Sequence, residues 1–299
     1  MPRHYISESN LTAAEFRQLL VRAEELKAAH KSGEIYTPFA NKTLAMIFEK
    51  SSTRTRVSFE TGMTQLGGHA IYLSPKDSQL GRGEPLEDTA KVLSQMVDLV
   101  MLRTNLHTSV INFASNSQVP VINGLTDLLH PCQLLADMQT FFAHRGDIAG
   151  AVVAWVGDGN NVCNSYINTA RLLGFKLRIA CPDQYRPDDS VLRAAGDVVE
   201  FTDNPLDACR GAALVVTDVW SSMGQEEEQT GRSVAFADYQ VDSRLMSEAD
   251  KDALFMHCLP AHRGEEVTAD VIDGEQSVVW EEAGNRLHAQ KALMEFLVS

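Results

Sequence analysis

The chain has 299 residues, with 26 Lys and Arg against 40 Asp and Glu, a formal charge of −14. Hydrophobic residues at 44% and charged residues at 22% suit about two packed domains and exclude a wholly disordered chain. The acidic excess argues against broad nucleic-acid binding and against docking on anionic membranes, which need clustered Lys and Arg.

Taken in chain order, short apolar runs of strand character are expected at 44–48, 70–73, 99–102, 119–122, 151–156, 176–180, 213–217, 254–257 and 277–280. Helical spacing falls between most of them, so the expected fold is α/β: two domains, each a parallel β-sheet flanked by helices. Ser51 or Ser52 can cap a helix with Phe59, Met63 and Leu66 on one face, stopped by Gly67 and Gly68. Pro85 and Pro131 suit the first turns of two more helices. A further helix follows the GDGNN turn and ends at Gly174, and the segment 285–298 forms the last. The polar, Gly-containing stretch HRGDIAGA, 143–150, is the expected domain junction, giving domains 1–146 and 147–284 with the helix 285–299 returning to the first. The acidic stretch 224–232 reads as a solvated loop or as a flap beside a site.

The cysteines Cys132, Cys163, Cys181, Cys209 and Cys258 are odd in number and form no CxxC pair. This fits reduced cytosolic thiols better than a disulfide framework. With no apolar signal core and no run approaching a membrane span, the expected location is the cytoplasm, with neither membrane nor nucleic-acid partners.

Six places carry chemistry. In FEKSSTRTRVSFE, 48–60, hydroxyls, Arg54 and Arg56 gather at a helix start, where free N–H groups favour a phosphate-like anion. The glycines and lysine of a P-loop are absent. Arg103 ends a strand, where open parallel sheets bind ligands. In NGLTDLLHPCQLL, 123–135, His130 and Gln133 can polarise a carbonyl oxygen, or serve as a helix cap and a surface amide. The turn WVGDGNNVCNS, 155–165, partly mimics a dinucleotide fingerprint, with Asp183 as a ribose acid, but Val162 stands where its third glycine belongs. Asn164 there suits a carboxylate ligand. In VVTDVWSSMG, 215–224, Asp218 can hold an ammonium group or cap a turn. In FMHCLPAHRGEEV, 255–267, His257, Cys258 and His262 lack a fourth ligand at zinc spacing, so Cys258 reads as a polar contact in preference to a nucleophile.

Together SSTRTR, the Arg103 strand end, HPCQ, GDGNNVCNS, DVWSSMG, HCLPAHRGEE and the terminal AGNRLHAQKA resemble the aspartate/ornithine transcarbamoylase family, in its ornithine carbamoyltransferase branch. The resemblance runs from about residue 40 to the C-terminus. It implies that carbamoyl phosphate lies against Ser52, Thr53, Arg54, Thr55, Arg103, His130 and Gln133, with Cys258, Leu259 and Arg286 completing the pocket. Arg54, Arg103, His130, Gln133 and Cys258 would be the catalytic set. Ornithine would lie against Asn164, Asp218, Ser222 and Met223, and Gln79 would reach a neighbouring subunit's site, implying a homotrimer or a multiple of it. The implied reaction converts carbamoyl phosphate and L-ornithine to L-citrulline and phosphate, in arginine biosynthesis, without cofactor or metal. Ser221 and Cys163 stand where the family pattern has Val and Ala, and neither removes a ligand group. N-acetylornithine or putrescine remain alternative acceptors. A nicotinamide oxidoreductase and a non-catalytic anion-binding regulator are the readings from other classes.

Overall fold

The structure, a computed structural model, describes residues 2–74, 83–221 and 229–299. Gln79, Ser222 and Met223 lie outside the described residues. The chain divides into two compact units, Met1–Gln139 with Gly284–Ser299, and Thr140–Ala283.

In the first unit, α1 (Ala13–Lys31) is followed by β1 (Thr43–Phe48), α2 (Thr53–Gln65), β2 (His69–Leu73), α3 (Leu86–Leu93), β3 (Leu99–Arg103), α4 (His107–Asn116), β4 (Val121–Leu125) and the start of α5 (Pro131–Arg145). Among the described residues these strands form a parallel four-stranded sheet in the order β2-β1-β3-β4. One face of it packs Ala45, Ile47, Val100 and Leu102 against Ala90, Val110 and Phe113 of α3 and α4. The apolar face expected for α2 is buried, with Phe59, Met63 and Leu66 at 0% exposure.

The second unit continues with β5 (Val152–Val156), α6 (Asn161–Leu173), β6 (Lys176–Ala180), α7 (Asp189–Ala195), β7 (Val199–Thr202), α8 (Pro205–Cys209), β8 (Leu214–Thr217), α9 (Gln229–Ala235), α10 (Ser243–Glu248), β9 (Leu254–His257) and α11 (Ala269–Ile272). Its strands run parallel in the order β7-β6-β5-β8-β9. The last helix, α12 (Val279–Val298), crosses the division, and its residues from Gly284 onward belong to the first unit.

The expected strand at 277–280 is not formed. Ser277 makes one isolated bridge to Phe255, and α12 begins at Val279. Pro85 is the residue before α3 with extended backbone, φ −60° and ψ 141°, not a member of its first turn. No described helix is long and apolar enough to cross a membrane.

Candidate functional site

In both sheets the chain changes direction of propagation at the centre, between β1 and β3 and between β5 and β8. Loops leaving such a point diverge and open a crevice at the carboxyl ends of the strands.

In the first unit, Ser52 is the N-cap of α2 and its hydroxyl accepts from the Thr55 N–H at 3.3 Å. Thr53 is exposed in the first turn and Arg54 is half-buried. Thr55 is buried and collects the site: its Oγ1 accepts from Ser52 Oγ at 3.1 Å, Arg103 Nη1 at 3.4 Å and Arg286 Nη2 at 3.3 Å. Arg286, 2% exposed, also donates from Nη1 to Gln133 Oε1 at 2.6 Å, and Gln133 Nε2 donates to Asp137 Oδ1 at 2.8 Å. Gln290, with its amide oriented to satisfy its neighbours, accepts from Arg286 Nε at 3.2 Å and donates to Ser58 Oγ at 2.6 Å. The guanidinium planes are thus set by hydrogen bonds before any ligand arrives. Burial, and then the charges of Arg286, Arg103 and Arg54, push the His130 pKa well below its usual value, so its imidazole is neutral at pH 7. A helix N-terminus, three guanidinium groups and a neutral imidazole suit a ligand with an anionic end and a carbonyl oxygen.

Arg56 does not join them. It stacks 4.0 Å over the Tyr72 ring and pairs with Glu60 at 3.2 Å, because it falls on the exposed side of α2.

In the second unit, Asp218 follows β8 and is 6% exposed. Its Oδ2 accepts from Asn160 Nδ2 at 2.7 Å, and its Oδ1 from the Val219 N–H at 2.8 Å and Cys258 Sγ at 3.1 Å. Cys258 is therefore a polar contact of Asp218. Leu259, at φ 58°, is held by its N–H donating to His257 Nδ1 at 2.9 Å. Asn164, read from the sequence as facing out of the first helical turn, faces inward. It is buried in α6, and its carbonyl accepts from the Asp188 N–H at 3.1 Å. Asp218, His257 and Cys258 each offer a metal-ligating atom within 4.8 Å. His257 has both ring nitrogens engaged, however, Nε2 donating to Glu266 Oε1 at 3.0 Å and Nδ1 accepting from Leu259.

The GDGNN turn is closed to a dinucleotide. A Cβ on Gly159 would lie 2.3 Å from Pro187 N and 2.5 Å from Tyr185 O, so the 185–187 backbone fills the space that a pyrophosphate needs. The Asn160 side chain caps α6 by accepting from Val162 N at 2.9 Å and Cys163 N at 3.2 Å. The anion-binding end of that helix is already occupied.

Three supporting residues escape a reading of the sequence. Asp137 is signalled only by its i,i+4 spacing from Gln133. Asn160 reads as a cap, with no hint that it also grips Asp218. Arg232 is 3% exposed, pairs with Asp158 at 2.5 Å, donates to the Trp220 carbonyl and lies 4.3 Å over the Tyr185 ring. It joins the β5 turn to the segment after β8, and no local pattern announces it.

The fold and its strand ends define an α/β protein with a hydrogen-bonded cluster of guanidinium groups in its first unit and a buried carboxylate, Asp218, in its second. The chain matches "Aspartate/ornithine carbamoyltransferase, carbamoyl-P binding domain" over residues 3–143 and "Aspartate/ornithine carbamoyltransferase, Asp/Orn binding domain" over residues 149–297. It belongs to the aspartate/ornithine carbamoyltransferase family. It is similar to ornithine carbamoyltransferase of Hydrogenovibrio crunogenus, 62% identical over 297 residues that cover 99% of this chain and 98% of the relative. That of Methylococcus capsulatus is 64% identical over 298 residues, 100% of this chain and 99% of the relative. The crystal structure of ornithine carbamoyltransferase from Burkholderia thailandensis superposes with a TM-score of 0.93 at 54% identity, covering 99% of this chain and 98% of the other. The enzyme from Pyrococcus furiosus gives 0.95 at 47% identity, covering 99% and 97%.

Proposed function

We propose that this protein is an ornithine carbamoyltransferase, transferring the carbamoyl group of carbamoyl phosphate to the δ-amine of L-ornithine to give L-citrulline and phosphate. The observation that carries the reading is the junction at Thr55, where Arg103 and Arg286 meet beside the neutral His130. The names and identities of the relatives supply the amino-acid acceptor.

In this reading residues 1–146 with 285–299 are the carbamoyl-phosphate domain and 147–284 the ornithine domain. Ser52, Thr53, Arg54 and Thr55 take the phosphate at the start of α2, where backbone N–H groups and guanidinium charge offset its negative charge. Arg103, His130 and Gln133 address the carbamoyl group. A neutral imidazole donates a hydrogen bond to the carbonyl oxygen without giving up a proton, stabilising the oxyanion as the amine adds. Arg286 steadies the phosphate as it leaves. An alkylammonium of pKa about 10.4 must lose its proton before attack. The δ-nitrogen then forms the new C–N bond, the C–O bond to phosphate breaks, and the second amine proton is released. Asp218 is the partner for the ornithine ammonium and the Asn164 amide for its carboxylate. Cys258 and Leu259 are further contacts of the second unit, and Ser222, Met223 and Gln79 retain the roles that the family resemblance implies.

The same reading places the protein in the cytoplasm, in arginine biosynthesis, as a homotrimer or a multiple of it. Association is supported by the outer strand β2, whose second edge carries no strand among the described residues, and by the exposed side chains of Ile71 on that strand and Val57 on α2.

The test is a parallel assay of ureido product from carbamoyl phosphate with ornithine, N-acetylornithine, putrescine and aspartate. Ornithine is expected to be the preferred acceptor. Product with one of the others alone overturns the assignment of the acceptor, and binding of carbamoyl phosphate without any product overturns the enzyme reading.

A further inference from the structure

The turn after β9 carries a second group of ligating side chains, His262, Glu265 and Glu266, whose donor atoms lie within 4.8 Å of one another. Three properties separate it from an ordinary charged surface.

The first is rigidity. Arg263 makes a two-pronged ion pair with Asp273 at 2.9 and 2.7 Å, and Gly264, at φ 90°, donates its N–H to Val267 O at 2.9 Å. The Glu265 N–H donates to His262 O at 2.9 Å, and the Gln240 side chain holds the Glu265 carbonyl at 2.6 Å. The backbone carrying the three side chains is therefore fixed from both sides, and little ordering remains for a bound ion to impose.

The second is an unsatisfied oxygen. Glu266 is 0% exposed, and its Oε1 accepts from the His262 N–H at 2.7 Å and from His257 Nε2 at 3.0 Å. Its Oε2 is buried and has no hydrogen-bond partner. A buried carboxylate oxygen without a donor is costly, and a cation removes that cost.

The third is spacing. His262 Nδ1 lies 3.8 Å from Glu266 Oε2 and 3.9 Å from Glu265 Oε2. Ligands bound at about 2.0–2.1 Å around a tetrahedral ion sit about 3.3 Å apart, so His262 must close on each carboxylate by about half an ångström. The side chains of His262 and Glu265 are 52% and 43% exposed, which leaves an open side for a water ligand. One imidazole and two carboxylates suit a divalent ion of the zinc class better than magnesium, which prefers oxygen and its own water.

We propose that His262, Glu265 and Glu266 form a binding site for a zinc-class divalent cation. Glu266 would bridge the ion to His257, and through the His257 ring to the Leu259 N–H. The site is separate from Asp218 and Cys258, and the proposal does not depend on the carbamoyl-transfer reading.

Cobalt(II) titrated into the metal-free protein tests it, because the ion's visible absorption reports its ligands. The expected result is one ion per chain with a nitrogen and oxygen spectrum, and a raised unfolding midpoint. His262→Ala and Glu265→Gln, at side chains that are 52% and 43% exposed, should each weaken binding about tenfold or more. No saturable uptake, unchanged affinity in both variants, or an intense thiolate-to-cobalt band marking Cys258 as a ligand would each overturn the site.

Discussion

Thr55 shows how one small side chain sets a site of large ones. Its hydroxyl oxygen accepts from both Arg103 and Arg286, and a hydrogen bond to a charged group contributes about 1.5–3 kcal/mol. Thr55→Val keeps the shape and removes that acceptor. The expected outcome is a rise of about tenfold or more in KM for carbamoyl phosphate with the fold intact by circular dichroism; an unchanged KM would show that the arginines are oriented without it. At this scale the sequence was partly legible. STRTR, HPCQ and the terminal Arg286 name their residues, because short motifs at strand ends carry their own positional meaning. Which arginine turns inward was not legible from the local pattern, and only the family resemblance singled out Arg54. Arg54 and Arg56 differ by two positions, and only the rotation of α2 under Phe59 and Met63 sends Arg56 to Tyr72 and keeps Arg54 near His130.

Elements differ in how much of their evidence is local. α1, which the sequence reading did not anticipate, carries a local signal in the capping box Thr12 and Glu15, in which each side chain takes the other's backbone N–H. β7 has an irregular apolar pattern and sits at the edge of its sheet, where burial is incomplete and periodicity weak. The segment at 277–280 has the apolar composition of a strand, yet Val279 is needed in the core of the second unit and α12 starts there. The turn after β5 is the sharpest case. Its glycines look like a cofactor loop, and the structure uses Gly159 to admit the 185–187 backbone. Gly159→Ala is therefore expected to destabilise the protein by about 1–3 kcal/mol through overpacking, seen as a lower midpoint in thermal or urea unfolding. NADH should not bind the wild type, which fluorescence titration can check. An unfolding midpoint equal to wild type would mean that the 185–187 loop yields freely.

At the scale of the whole chain, charge matters by location. His288 on α12 is buried near Lys291, His30, Lys27 and Lys31, and burial, followed by these charges, lowers its pKa to about 4. An unfolded histidine titrates near 6.5, so between pH 6.5 and about 4 the unfolded chain binds the extra proton. Stability is then fully present above pH 6.5 and falls as pH drops through that window. Replacing the group by His288→Gln should flatten the fall in unfolding midpoint between pH 6.5 and 4, measured by calorimetry; an identical slope would assign the acid loss to other groups. The chain as written determined the α/β class, the alternation of strands and helices, the position of most elements and the motifs at the starts of α2 and α5, because periodicity, caps and turn residues act over a few neighbours. Tertiary structure alone decided that Arg286 joins Thr55 and Gln133, that Asn160 and Cys258 grip Asp218, that Arg232 ties Asp158 to Trp220, and that Glu266 is buried beside His262. Those contacts join residues far apart in sequence, and their energies exist only once strand order has brought the loops to one end of each sheet and removed them from water.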